Sequence, residues 1–230
     1  MPRVAPFDAH HERYEAWFDK HEPAYLSELL ALRAFVPWVG RGLEIGVGSG
    51  RFAAPLGVQV GLDPSPAMLA HAAARGIEIV EGTAEDMPFE ACSFDYALVE
   101  TTLCFVDSPA RMLAEAQRVL RPGGRLVIGF IDRDSPLGQE YLAHQSESVF
   151  YRDATFYSAD EVEQLLVHGG FSIDGWVQTL AGPLAGMRDI EPLRPGRGEC
   201  AFVVVAATRN AEAAESPGPL VRRGAGGRRE

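Results

Sequence analysis

Three glycines and a carboxylate lie close together near the start of the chain, in the sequence Glu44-Ile-Gly46-Val-Gly48-Ser-Gly50. They follow a short apolar segment (42–47) that predicts a strand, so the glycines lie where a strand gives way to a helix. Glycine lets the backbone turn sharply and lets a ligand approach without meeting a Cβ atom. The segment therefore predicts a ligand-binding turn.

The spacing of these glycines differs from that of a dinucleotide-binding turn. A Gly-x-Gly-x-x-Gly pattern beginning at Gly46 needs a glycine at position 51, where the chain has Arg51. A carboxylate such as Glu44 at the strand end suits a cationic ligand without phosphates. A nicotinamide-dependent oxidoreductase and a non-catalytic adenosyl-binding protein remain alternative hypotheses, because both could use a similar turn.

A second carboxylate follows the next predicted strand (59–63), in the sequence Gly-Leu-Asp63-Pro-Ser-Pro. A carboxylate at the end of a second strand can accept hydrogen bonds from both hydroxyls of a ribose. The segment 82–89, after a third predicted strand, can supply backbone and acidic contacts to the amino edge of an adenine. Together these residues predict a ligand that contains adenosine without its phosphates.

Alternating strands and helices position these turns. Strands are predicted over 42–47, 59–63, 77–81, 94–100 and 125–131, and helices begin near Pro66 and Ser108. This alternation indicates a parallel, doubly wound α/β sheet.

The two ends of the chain complete this pattern. Two predicted helices precede the first strand, with a break at Glu22-Pro23. Ser158 and Glu161 form a capping-box pattern for a helix that reaches about His168, and the strands 171–180 and 201–207 can pair antiparallel.

Composition limits the possible partners. With 47% hydrophobic and 23% charged residues the chain resembles ordinary globular proteins, and 230 residues suit one α/β domain. The formal net charge of −11 repels a nucleic-acid backbone, and clustered arginines occur only near the C-terminus. We therefore expect a small-molecule partner rather than DNA or RNA. The sequence carries no signal for a particular oligomeric state.

The chain lacks the signals of a membrane, secreted or metal-binding protein. No apolar run reaches the roughly 18 residues that a membrane span requires, and residues 1–11 lack a signal-peptide pattern. We therefore expect a cytoplasmic protein. Cys92, Cys104 and Cys200 are widely spaced and form no CxxC pair, which predicts free thiols and no metal site.

Five segments together resemble the class I S-adenosylmethionine-dependent methyltransferases, specifically the type 11 methyltransferase domain family. The match spans roughly residues 40–132, and the order and spacing of its motifs make it specific. The motifs are LEIGVGSGRF (43–52), GLDPSPAML (61–69), EGTAEDMPF (81–89), SFDYALVE (93–100) and RVLRPGGRLVIG (118–129).

The resemblance implies a Rossmann-like, mostly parallel seven-stranded sheet in the order 3-2-1-4-5-7-6, with S-adenosylmethionine as cofactor. One domain would then cover 1–208, with a helical cap (1–39), a cofactor-binding core (40–132) and an acceptor side with the last strands (133–208). Residues 209–230 are predicted to form a disordered tail. The cap would carry Tyr14, Trp17 and Phe18. The implied cofactor contacts are Tyr14, Glu44, Gly46, Gly48, Gly50, Asp63, Pro64, Met68, Ala84, Glu85 and Glu100.

Two departures from the family pattern modify these expectations. Only eight residues (51–58) separate Gly50 from the second predicted strand, so the first helix must be short and would leave one side of the sheet thinly covered. Thr83 stands where relatives often have aspartate, so the adenine contact would pass to Glu85.

Methyl transfer to a small-molecule acceptor needs positioning above all, and a base only when the acceptor must lose a proton. The catalytic candidates are Glu100 and His21, with Asp132 and His144 as further possible bases. The side chains of His21, Tyr25, Tyr151 and Tyr157 could line the acceptor site. Cys104 could lie near a thiol or metalloid acceptor.

Overall fold

Three helices precede the first strand in the computed structural model, which describes residues 4–210. They are α1 (Ala5–Ala9), α2 (His11–Lys20) and α3 (Glu22–Arg33). The predicted break near Glu22-Pro23 is confirmed, because Pro23 lies in the first turn of α3, where no intrahelical N–H is needed. The additional helix α1 is too short for its apolar spacing to reveal it.

Eight strands form one sheet, one more strand than the sequence predicts. They are β1 (Gly42–Ile45), β2 (Val60–Asp63), β3 (Glu78–Glu81), β4 (Phe94–Glu100), β5 (Leu120–Ile131), β6 (Phe171–Thr179), β7 (Arg194–Pro195) and β8 (Phe202–Arg209). Their order is β3-β2-β1-β4-β5-β8-β6-β7. Without the two-residue β7, this is the expected order, and β8 runs antiparallel to both β5 and β6 as expected.

The remaining helices lie between these strands. They are α4 (Ala53–Leu56), α5 (Pro66–Ala74), α6 (Pro109–Val119), α7 (Pro136–Ala143) and α8 (Ala159–His168), with a 3-10 turn at Gln145–Glu147. The predicted capping box of α8 is confirmed, because the Ser158 side chain accepts from the Glu161 N–H and the Glu161 carboxylate accepts from the Ser158 N–H. No helix within residues 4–210 is both long and apolar enough to cross a membrane.

The two faces of the sheet carry separate apolar clusters. Met112 and Leu113 of α6 pack with Val162 and Leu166 of α8 on one face. On the other, α3 and α5 pack beside the four-residue α4, whose length confirms the predicted short first helix. The expectation that this face is thinly covered was wrong, because α3 buries Leu32 completely against it.

The predicted boundary of the C-terminal tail was one strand residue too early. Arg209 is the last residue of β8, is 7% exposed, and donates to the backbone oxygen of Leu120. Asn210 donates its N–H to the Gly170 oxygen at 3.1 Å. Residues 211–230 of the predicted tail lie outside the described residues.

Candidate active site

A cavity of about 400 Å³ lies at the carboxyl ends of the central strands. Gly46 follows β1, Asp63 ends β2 and Glu100 ends β4, and all three line this cavity. The carboxyl ends of parallel strands, near the point where the strand order reverses, are the usual ligand site of an open α/β sheet. The cavity has the size of a typical small-molecule site.

Most of the residues that the sequence assigns to the cofactor line this cavity. They are Tyr14, Gly46, Gly48, Asp63, Pro64, Met68, Ala84, Glu85 and Glu100. Glu44 and Gly50 are not among the residues that line it. Thr83 lines the cavity beside Ala84.

The Asp63 carboxylate joins the glycine turn to the end of β2. Its Oδ2 accepts from the Gly48 N–H at 2.9 Å, and its Oδ1 accepts from the Ser65 N–H at 2.8 Å. Burial raises the pKa of Asp63 above its usual value, although both N–H groups favour the charged form. The two contacts hold the carboxylate in a fixed orientation at the cavity wall.

The three glycines of the turn serve different purposes. Gly48 has φ of 51°, and a Cβ added to it would lie 3.4 Å from Met68 Cε at the cavity wall. A Cβ on Gly46 would overlap the Thr102 side chain, whose hydroxyl donates to the Gly46 oxygen at 3.2 Å. A Cβ on Gly50 would overlap Ile77, so Gly50 allows close packing of the turn rather than access to the cavity.

Three buried carboxyl groups lie at this end of the sheet, and the charge of Glu100 acts on the other two, Glu28 and Glu44. Glu44 is 2% exposed, and its Oε2 has no hydrogen-bond partner among residues 4–210. Burial and the Glu100 charge raise the pKa of Glu44 well above its usual value. Burial raises the pKa of Glu100 to about 8. Glu28 of α3 also lines the cavity and is 6% exposed.

Sequence reasoning missed Glu28, although a signal was available. Glu28 lies four residues from both Ala24 and Leu32, which are buried on the inner face of α3. A carboxylate at a helix position that faces the core is rarely buried without a functional or paired role.

Aromatic side chains from two distant segments close the cavity. Tyr14 and Phe18 of α2 line it together with Phe7 of α1. The Phe150 ring, from the loop after α7, lies 5.2 Å from the Phe7 ring and 6.0 Å from the Tyr14 ring. The predicted cap and the segment 133–157 therefore meet over the cavity.

The other candidates divide between the cavity and its surroundings. Trp17, Tyr151 and His144 line the cavity. His21 lies outside it, with its Nδ1 3.0 Å from the Trp17 oxygen. The remaining candidates Tyr25, Tyr157, Asp132 and Cys104 also lie outside it.

The Glu85 carboxylate is already engaged by backbone. Its Oε1 accepts from the N–H groups of Asp107 and Ser108, at 2.7 and 3.2 Å. These contacts fix the loop that enters α6. Glu85 thus lines the cavity while one of its carboxylate oxygens is hydrogen-bonded to the loop.

Comparisons with known proteins agree with this architecture. The model of a methyltransferase domain family matches residues 43–128. An uncharacterized protein of Methanocaldococcus jannaschii is 43% identical over 203 residues, which cover 88% of this chain and 98% of that protein. An uncharacterized protein of Mycobacterium tuberculosis is 39% identical over 213 residues, which cover 90% of this chain and 75% of that protein.

The description of one similar solved structure names an enzymatic activity. A Thermotoga maritima protein described as an S-adenosylmethionine-dependent methyltransferase, possible histamine N-methyltransferase, is 46% identical with a TM-score of 0.88. The match covers 90% of this chain and 100% of that one. The sequence motifs, the strand order and these similarities together show that the chain belongs to the class I S-adenosylmethionine-dependent methyltransferases.

Proposed function

We propose that this enzyme methylates a small-molecule acceptor inside the aromatic-walled cavity, with its cofactor held by the residues of the glycine turn and β2. The observation that carries the proposal is the cavity itself, which is lined by Asp63 and by the buried carboxyl groups of Glu28 and Glu100, neither of which forms an ion pair within residues 4–210. S-adenosylmethionine supplies an activated methyl group on a positively charged sulfur.

The residues present fit this cofactor. The oriented Asp63 carboxylate suits the two hydroxyls of a ribose. The unpartnered Glu44 Oε2 suits a cationic amino group, since a buried carboxylate oxygen without a donor is costly. Pro64 and Met68 offer apolar surface for an adenine, and Gly48 keeps the turn open beside them.

The chain's contribution to catalysis is to position the acceptor and exclude water. An in-line displacement requires the acceptor atom about 3–3.5 Å from the methyl carbon, and most of the rate enhancement comes from holding that geometry. The aromatic contacts between Phe7, Tyr14 and Phe150 shield the cavity from solvent.

A small acceptor is favoured over a macromolecule. Residues of the cap form part of the cavity lining, and the net charge of −11 opposes a polyanion. The histamine in the description of the Thermotoga maritima relative is a small molecule of this kind.

Two measurements test the proposal. Calorimetric titration should show binding of S-adenosylhomocysteine and none of NAD. The turn has Arg51 at the position where a dinucleotide site has its third glycine. A screen of small-molecule acceptors with methyl-labelled cofactor should give turnover. Preferential NAD binding would overturn the assignment of the cofactor, and cofactor binding without turnover on any small acceptor would favour a macromolecular acceptor or a non-catalytic role.

A further inference from the structure

Glu28 is a buried carboxyl that faces the cavity without a partner. It is 6% exposed, and among residues 4–210 it forms no hydrogen bond or ion pair. A carboxyl in this environment needs either a proton or a ligand that carries positive charge.

The charge of Glu100 acts on Glu28, and both side chains line the cavity. Burial and the charge of Glu100 both raise the pKa of Glu28 well above its usual value. Glu100 has one side-chain hydrogen bond within the described residues, donated by the Thr101 hydroxyl. Because both groups are buried and the charge of Glu100 opposes ionisation of Glu28, the pair holds a proton more readily than exposed carboxyl groups do when no cation is bound.

Within residues 4–210, no buried cationic side chain lines the cavity beside this carboxyl pair. Among the described residues that line the cavity, Arg13 is the only arginine or lysine, and it is exposed. His144, the one histidine there, is also exposed, and its Nδ1 lies 3.0 Å from the Glu140 oxygen. A cationic ligand is therefore the natural complement.

Stacked aromatic rings flank the carboxyl pair. The Tyr141 ring stacks on Tyr151 with centroids 5.4 Å apart, and Tyr151 stacks on Phe105 at 5.7 Å. Tyr141 lies close enough to Glu28, and Tyr151 to Glu100, for these carboxylates to oppose ionisation of the phenols. The faces of such rings attract cations and pack well against another ring.

We propose that the methyl acceptor is a small amine that carries an aromatic ring, and that the carboxyl groups of Glu28 and Glu100 bind its nitrogen and accept its proton. This inference rests on the proposed function and specifies its substrate class. The rings of Phe105, Tyr141 and Tyr151 provide the surface for the ring of the acceptor.

The carboxyl pair, the amine and the cofactor together account for every proton and electron pair in the reaction. A bound ammonium passes one proton to a carboxylate of the pair, which frees the lone pair of its nitrogen. That lone pair forms the new bond to the methyl carbon as the carbon–sulfur bond breaks, and the bond electrons pass to sulfur. The product is a methylated ammonium beside a thioether, and the carboxyl proton leaves to solvent as the products depart.

The test measures binding rather than turnover. Protein saturated with S-adenosylhomocysteine is titrated with 2-phenylethylamine against 2-phenylethanol, and with tryptamine against tryptophol, by calorimetry at pH 7. We expect each amine to bind at least about tenfold more tightly than its alcohol, a difference of about one decade in Kd. Titration in two buffers of different ionisation enthalpy should show proton release on amine binding, because a cation displaces the proton of the carboxyl pair.

A matched pair of variants locates the effect. Glu28→Gln keeps the shape of the side chain and should lower amine affinity about tenfold or more and reduce proton release. It should leave affinity for S-adenosylhomocysteine nearly unchanged. Glu22→Gln, an exposed position on the same helix, should change none of these quantities.

The outcomes separate this inference from the proposed function. Equal binding of amine and alcohol by the wild-type protein, or of neither, overturns the inference without requiring any variant to fold. Loss of S-adenosylhomocysteine binding in Glu28→Gln, with amine binding intact, assigns Glu28 to the cofactor and also overturns it. Failure of the wild-type protein to bind S-adenosylhomocysteine would instead contradict the proposed function.

Discussion

The Nε of Arg51 donates to Oε2 of Glu15 at 3.0 Å, and so joins helix α2 to the residue directly after Gly50. The same carboxylate oxygen accepts from Arg75 Nη2 at 2.5 Å, at the end of α5. Helix α2, which carries Tyr14, is therefore attached to the glycine turn itself. The position of the cap and the shape of the turn are coupled through Glu15, with Asp19 of the same helix as a second partner of Arg51 at 3.2 Å.

Glu15→Gln should loosen this attachment, because Arg75 loses its charged acceptor and Arg51 keeps only Asp19, at 3.2 Å. We expect the Kd for S-adenosylhomocysteine to rise about five- to tenfold, or about 1–1.4 kcal/mol. Limited proteolysis at Arg13 and Lys20 should accelerate, with less protection by S-adenosylhomocysteine than in the wild type. Glu12→Gln, an exposed position on the same helix, is the control, and equal behaviour of the two variants would show that the attachment does not hold the cap.

Gly48→Ala should weaken S-adenosylhomocysteine at least about tenfold. Its added Cβ would lie 3.4 Å from Met68 Cε and 3.5 Å from the Tyr14 hydroxyl, where the cavity begins. Gly57→Ala is a matched control, since Gly57 also has positive φ, 73°, and its Cβ would meet nothing within 4 Å. Both variants should lose stability similarly on chemical unfolding, and a similar cofactor affinity in both would mean that the Gly48 turn has no part in binding.

Asp63→Ala should weaken S-adenosylhomocysteine by about 2–4 kcal/mol, because the ribose hydroxyls lose a charged acceptor in a partly dry site. It should also lower the free energy of unfolding, since the N–H groups of Gly48 and Ser65 lose their acceptor. Asp63→Asn keeps one side-chain oxygen and should fold better while binding cofactor weakly. If a folded Asp63→Asn protein binds S-adenosylhomocysteine with wild-type affinity in calorimetry, the Asp63 carboxylate does not bind the ribose hydroxyls.

Stability of the cofactor-free protein should depend on Glu100 in a pH range set by its raised pKa. Burial moves that pKa from 4.5 to about 8, so the folded protein holds a proton that the unfolded chain has lost. The protonated Glu100 therefore contributes to the free energy of unfolding in full below the pKa of the unfolded chain. This stabilisation is lost as the pH rises through about 8, with a slope of up to about 1.4 kcal/mol per pH unit.

Glu100→Gln should remove that slope. Urea unfolding at several pH values should show the variant gaining stability relative to the wild type as the pH rises from about 5 to 8. A difference between the two proteins that is constant over this range would mean that Glu100 titrates normally.

The glycine turn, the carboxylate at the end of β2 and the alternation of strands and helices could all be predicted from the sequence. Each depends on neighbouring residues: the apolar segment before Gly46, the proline and serine after Asp63, and the Ser158–Glu161 pair that caps α8. Such local signals can be recognised from neighbouring residues alone, because turn geometry and helix capping involve residues only a few positions apart. The order and antiparallel placement of the last strands came from the resemblance to the family.

Other features depend on contacts between distant segments, and only the tertiary structure decided them. The strand Arg194–Pro195 exists because it pairs with Val177 and Gln178 of β6, and two residues carry no periodicity of their own. Phe7 and Phe150 meet at the cavity although strands β1 to β5 lie between them in sequence. By itself the sequence determined where a cofactor turn forms, while the packing of α3 against the sheet brought Glu28 to Glu100, since burial and long-range contact are properties of the folded chain.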